Sequence, residues 1–179
     1  MKKIEKPKHQ NLIMGLILGV LFQYVASFLM TETLKFFPSI AGSYANDISG
    51  LMELTVSSIL AVCIIGPILE ELLFRGLIMH LADLILPFFV ANIIQAICFS
   101  FYHTNNVQKI YAFILGLFIG HISHKTRHIT TGMAFHIALN TMGLFLGTIV
   151  TDETQFTTKL VIFILCIPCI VASYRKLKR

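Results

Sequence analysis

Apolar residues occur along this chain in long, nearly continuous runs, and short polar segments separate them. A run of about twenty apolar residues, coiled at 1.5 Å per residue, matches the ~30 Å hydrocarbon layer of a bilayer. The first run covers 11–30. A polar connection with Pro38, Gly42, Asn46, Asp47 and Gly50 fills 31–50. The second run starts near Leu51, carries Gly66-Pro67 as a predicted kink, and reaches the surface over His80–Asp83. The third covers 84–103, with Pro87 in its first turns, and Thr104-Asn105-Asn106 forms a turn. The fourth, 108–121, is short and contains Gly116 and Gly120, which permit close helix contact. A basic loop at 124–128, a fifth run at 129–150, an acidic loop at 151–155 and a sixth run ending at Ser173 complete the chain. The pattern predicts an all-α membrane protein, a bundle of about six transmembrane helices forming one domain over 1–179, with no internal repeat.

Composition agrees. The 179 residues are 56% hydrophobic and 13% charged, with mean hydropathy +0.79, more apolar surface than a soluble domain of this size can bury. The first run follows Lys2, Lys3, Lys6 and Lys8 and resembles a secretory signal, but it is too long, so a retained helix is expected. The net charge of +5 sits mainly at the two ends and in one loop. Those segments hold Lys2, Lys3, Lys6, Lys8, Lys125, Arg127, Arg175, Lys176, Lys178 and Arg179, whereas the other connections hold only Lys35, Lys109 and Lys159. This asymmetry predicts cytoplasmic N- and C-termini in a multi-pass plasma-membrane protein, with membrane lipid rather than nucleic acid meeting the basic groups. Cys63, Cys98, Cys166 and Cys169 all lie inside apolar runs and read as small hydrophobic residues. Cys166-x-x-Cys169 lacks the βαβ context of a redox motif.

Against this background Glu70-Glu71-Leu72-Leu73-Phe74-Arg75 stands out. A charge at the centre of a membrane helix costs roughly 2.5–3.5 kcal/mol on insertion scales. Glu71 and Arg75 are at i, i+4 and can pair, which makes them structural support. Glu70 points about 100° away and has no such partner in its own helix. Three further polar side chains sit at membrane depth: His103 at the end of the third run, and His136 and Asn140 at i, i+4 in the fifth. Intramembrane ionisable groups normally face the bundle interior and meet one another, so a polar cavity is expected. A carboxylate can take a proton from water, while imidazole and amide N–H groups can hold the oxyanion of a tetrahedral intermediate. No serine or cysteine has an adjacent base to make it a nucleophile. Glu70, His103 and His136 can equally be zinc ligands, and the same groups suit a proton-coupled transporter or a metal permease. His121, His124 and His128 would then form a metal entry, though a His-rich surface loop explains them more simply.

Glu70-Glu71-x-x-x-Arg75, Phe99-x-x-x-His103 and His136-x-x-x-Asn140 together resemble the three ordered motifs of the CAAX-protease and bacteriocin-processing (Abi) family, across about 55–145. The resemblance implies an all-helical membrane bundle with a cavity and an intramembrane endopeptidase acting on a hydrophobic peptide or membrane-protein substrate. It implies that Glu70 activates water together with His103, and that His136 and Asn140 form the oxyanion hole. Both metalloprotease and metal-free glutamate mechanisms are argued for the family. Its bacterial members are linked to peptide processing and to bacteriocin self-immunity, including the alternative of binding a peptide without cutting it.

Overall fold

The computed structural model describes residues 8–49, 55–149 and 156–178, without the side chains of 45–49 and 147–149. The expected acidic loop at 151–155, Lys2, Lys3, Lys6 and Arg179 lie outside the described residues. Among the described residues seven helices follow one another: α1 (His9–Leu34), α2 (Pro38–Ser49), α3 (Val56–Asp83), α4 (Phe88–Tyr102), α5 (Asn106–Thr126), α6 (Ile129–Ile149) and α7 (Phe156–Arg175). Among the described residues α1, α3, α6 and α7 are long and apolar enough to cross a membrane. Together with the outward-facing Ile65, Leu69, Leu73 and Leu77 of α3, these helices make an all-α, multi-pass membrane protein.

The remaining helices depart from the sequence expectation in informative ways. The connection over 31–50 contains α2, a helix that its Pro, Gly and Asn content disguised. The fourth run is not short: α5 has 21 residues and falls below span hydropathy because Lys109, His121, His124 and Lys125 belong to it. Most of the 124–128 segment is helical. The α5 helix stops at Arg127, which takes a left-handed conformation at φ 57° while the His128 N–H returns to the Ser123 carbonyl, closing the final turn. Pro87 precedes α4 instead of bending it, since a turn over 84–86 separates α3 from α4. The α4 helix is therefore only 15 residues long, about 22 Å.

Gly66-Pro67 does distort α3. The chain widens to a π-helical turn over Ala61–Ile65, and the Gly66 N–H reaches the carbonyl of Ala61. Pro67 has no N–H for the carbonyl of Val62, five residues back, and that carbonyl accepts a bond from Asn140 on α6 instead. A second π-helical stretch, Leu72–Met79, carries Arg75.

Small residues set the helix spacing. The α1 helix lies against α6 so closely that a Cβ on Gly19 would stand 2.2 Å from the Phe135 carbonyl oxygen. Along the α4–α5 seam a Cβ on Gly120 would stand 2.0 Å from Asn92 Oδ1. Between these seams Leu18, Phe74, Phe99, Leu115, Ile119, Phe135 and Leu139 form the buried apolar core.

The two chain ends meet. Asn11 exchanges two hydrogen bonds with the Lys178 backbone, at 2.7 and 3.0 Å. The last turns of α5 join them: His121 Nε2 lies 2.6 Å from the Tyr174 hydroxyl, and Lys125 covers the Tyr174 ring at 3.8 Å. His124 stacks on Phe88 with ring centres 3.7 Å apart. The histidines of this segment thus serve helix packing, and one end of the bundle gathers Lys125, Arg127, Arg175, Lys176 and Lys178.

Candidate active site

The half of the bundle away from the basic end holds a half-open cavity of about 520 Å³. Its walls come from the first half of α3, the end of α4, the first half of α5 and the second half of α6, with Gln23 of α1 and Tyr44 of α2. Glu70, His103, His136 and Asn140 all line it. Glu71 and Arg75 do not; they lie fully buried behind the wall.

The expected i, i+4 pair is present. Arg75 Nη1 donates to Glu71 Oε1 at 2.9 Å, with neither side chain exposed. Arg75 is further held by the Gly116 carbonyl, to which Nη2 donates at 3.2 Å, and by the Phe99 ring, 4.6 Å beneath the guanidinium. Gln95 donates to the same Gly116 carbonyl at 2.9 Å and to Asn92 Oδ1 at 2.7 Å, and Asn92 donates to the Leu117 carbonyl at 3.0 Å. A buried charge pair is tolerated better when further hydrogen bonds serve its groups, and this network supplies them to Arg75 Nη2 and Glu71 Oε1 but leaves Arg75 Nε, Glu71 Oε2 and Gln95 Oε1 without a partner among the described residues. Gln95 and Asn92 escaped the sequence reading, although two amides inside the third apolar run were a visible signal.

Glu71 does more than neutralise Arg75. Its Oε1 also accepts a hydrogen bond from His136 Nδ1 at 2.9 Å. An ionised carboxylate only accepts, so the proton on a neutral His136 sits at Nδ1 and Nε2 is left with a lone pair. That nitrogen faces Glu70 Oε2 at 3.6 Å. One imidazole thus bridges the two adjacent glutamates: Glu71 anchors it from behind, and Glu70, 18% exposed, meets it from the cavity side.

His103 ends α4 in extended backbone, its Nδ1 3.0 Å from the Phe99 carbonyl. A carbonyl also only accepts, so Nδ1 carries the proton and Nε2 is the acceptor. Phe99 stands between the two imidazoles, perpendicular to each, with ring centres 5.0 Å from His103 and 5.8 Å from His136. Asn140 spends one amide N–H on the Val62 carbonyl at 3.0 Å, which fixes its orientation and leaves the second N–H. The opposite wall holds a pair that the sequence reading missed: Tyr111 donates to Gln23 Oε1 at 2.8 Å. Tyr44, outside the spanning helices, has its phenol pKa pushed up by burial and so stays a neutral hydroxyl at the cavity wall.

Glu70, His103 and His136 do not assemble as a three-donor metal cluster, and none occurs among the described residues.

A membrane-embedded cavity lined by a partly exposed carboxylate, two oriented imidazoles and an amide defines a multi-pass membrane protein equipped for acid–base chemistry. Residues 52–142, half of the chain, match the family described as type II CAAX prenyl endopeptidase Rce1-like. The chain belongs to that family, and CAAX-type intramembrane protease activity is the family's general assignment. No curated protein and no solved structure matches the chain.

Proposed function

We propose that the protein is an intramembrane endopeptidase that hydrolyses a peptide bond of a small membrane-associated peptide or protein with water activated by Glu70. The observation that carries this reading is the position of Glu70: it lines the cavity and, among the described residues, has no ion pair with a guanidinium or ammonium group, while its neighbour Glu71 takes up Arg75. Glu70 draws a proton from water, assisted by the lone pair of His103 Nε2, and the oxygen adds to the scissile carbonyl. The second N–H of Asn140 donates to the oxyanion. His136 joins it as a donor when its Nε2, 3.6 Å from Glu70 Oε2, takes over the proton that Glu70 drew from water, because in the neutral ring that nitrogen only accepts. The C–N bond then breaks, and the proton taken from water goes to the departing nitrogen. General-base and oxyanion contributions of about 10²–10⁴ and 10²–10³ in rate are the usual scale for such groups. No step passes through a metal.

The test is mass spectrometry of membrane peptides from cells carrying the parental chain or Glu70→Gln. Cleavage products should vanish in the variant while protein yield stays normal; parental levels of product would remove Glu70 from the chemistry. We also place both ends and the α5–α6 turn in the cytoplasm of a plasma-membrane protein, supported by the basic residues gathered at that end. A single cysteine at Arg127 on a cysteine-free background should resist an impermeant thiol reagent applied to intact cells, and labelling from outside would invert the topology.

A further inference from the structure

We infer, resting on the endopeptidase reading, that Gln23 of α1 and Tyr111 of α5 form a subsite that holds the substrate's main chain in extended form, about two to three residues from the bond that is cut. Both side chains line the cavity on the wall opposite Glu70. Tyr111 donates to Gln23 Oε1 at 2.8 Å, and Gln23 Nε2 donates to Ser27 Oγ, one turn further along α1, at 2.9 Å. A side-chain amide has two N–H groups, and a phenol oxygen keeps its lone pairs after donating. One Gln23 N–H and the Tyr111 oxygen therefore remain without a protein partner among the described residues. The bare backbone of Gly143 on α6 steadies the amide from a third side, since a Cβ there would stand 3.0 Å from Gln23 Nε2.

What stays open is a donor and an acceptor side by side on a neutral wall. A strand edge offers the same pair, and an extended chain answers it with one C=O and one N–H. Those backbone groups lose water when a peptide enters the cavity, and leaving them unpaired is costly. A helical segment has already spent them within itself, so the subsite selects a chain that is extended where it is cut. It reads the main chain and leaves the side chains to apolar neighbours such as Ala112, Leu115 and Leu139. A cavity of about 520 Å³ is about 10 Å across, the reach of about three extended residues. A chain whose scissile carbonyl meets Glu70 thus brings a residue about two or three places away to Gln23 and Tyr111. A bridge serving helix packing alone would lie behind the wall, as the bond from Gln95 to Gly116 does; this one faces the cavity.

The experiment uses the full-length protein in liposomes with two probes, a prenylated peptide with a CAAX-type tail and a pool of randomised apolar peptides. A peptide cut by the wild type and not by Glu70→Gln is resynthesised with an ester in place of each amide within about three residues of the cut, the scissile one excepted. Each ester removes one N–H and keeps the chain. One ester position should lower kcat/KM of the wild type by roughly threefold to tenfold and have no effect on Tyr111→Phe, which lacks the accepting oxygen. Gln23→Met should raise KM by a similar factor with kcat kept within about twofold, because a contact away from the reacting bond serves ground and transition states alike. A merely structural role would instead lower the active fraction, and so kcat, at unchanged KM. Where Tyr111→Phe does not fold, the KM of Gln23→Met decides. An ester penalty that persists in Tyr111→Phe, the absence of any penalised position, or a fall in kcat alone for Gln23→Met overturns the inference and leaves the endopeptidase reading intact. Absence of Glu70-dependent cutting of either probe overturns that reading and the inference with it.

Discussion

The α4–α5 seam and the cavity contain the same kinds of group, amides, carboxylates and rings at membrane depth, yet they are built on opposite principles. In the seam, Arg75, Gln95 and Asn92 aim at fixed acceptors, and Gly120 lets the helices close until no room for a methyl remains. In the cavity, Glu70, His103 and Asn140 each keep one oxygen lone pair, ring nitrogen or N–H turned away from a fixed protein donor or acceptor, and His136 Nε2 faces Glu70 at 3.6 Å. The difference is access: Arg75 Nε, Glu71 Oε2 and Gln95 Oε1 also lack a partner among the described residues but are sealed away, whereas Glu70, His103 and Asn140 face the cavity. Glu71 stands at the border, with Arg75 on the closed side and His136 on the open one.

That contrast can be broken most forcefully at Glu71. Glu71→Ala strands the Arg75 guanidinium and should cost about 3–5 kcal/mol of stability. Activity should fall as well, because His136 loses its anchor; thermal unfolding in detergent and a cleavage assay on the same preparation would read both. A stable Glu71→Ala protein would mean that Arg75 finds another counter-ion. Next in size, Asn140→Ala should lower the cleavage rate by about 10²–10³ while stability falls by only about 1 kcal/mol for the lost bond to Val62. A large loss of stability without a rate defect would move Asn140 to the closed class. The smallest expected effect sharpens the packing side: Gly120→Ala should destabilise by about 1–3 kcal/mol through overpacking against Asn92. Gly42→Ala on α2, with nothing within 4 Å of the added methyl, is the control and should not destabilise.

Much of this was readable from residue order because bilayer thickness and helix pitch translate directly into run length. The apolar runs mark α1, α3, α6 and α7, and the i, i+4 spacings mark the Glu71–Arg75 pair. The grouping of Glu70, His103, His136 and Asn140 on one cavity was legible from three ordered motifs. Helix α2 was not, since its amphipathic turn is short and rich in helix-breaking residues. The true length of α5 was also hidden, because its basic last turns are stabilised by Tyr174 and Phe88 from distant parts of the chain.

Local spacing says which residues share a helix face, and it established that Glu71 and Arg75 can meet while Glu70 cannot join them. It says nothing of which nitrogen of His136 faces which glutamate, since that depends on how α6 is set against α3. Three-dimensional packing made Glu71 an anchor for His136 rather than only a partner for Arg75. It also enlisted Asn140 to satisfy the carbonyl that Pro67 leaves open and gathered the basic residues of two separate segments at one end. These outcomes belong to tertiary structure for one physical reason. Hydrogen-bond and ion-pair energies depend on distances of about 3 Å between helices far apart in sequence, whereas the signals in the sequence are carried by intervals along a single helix.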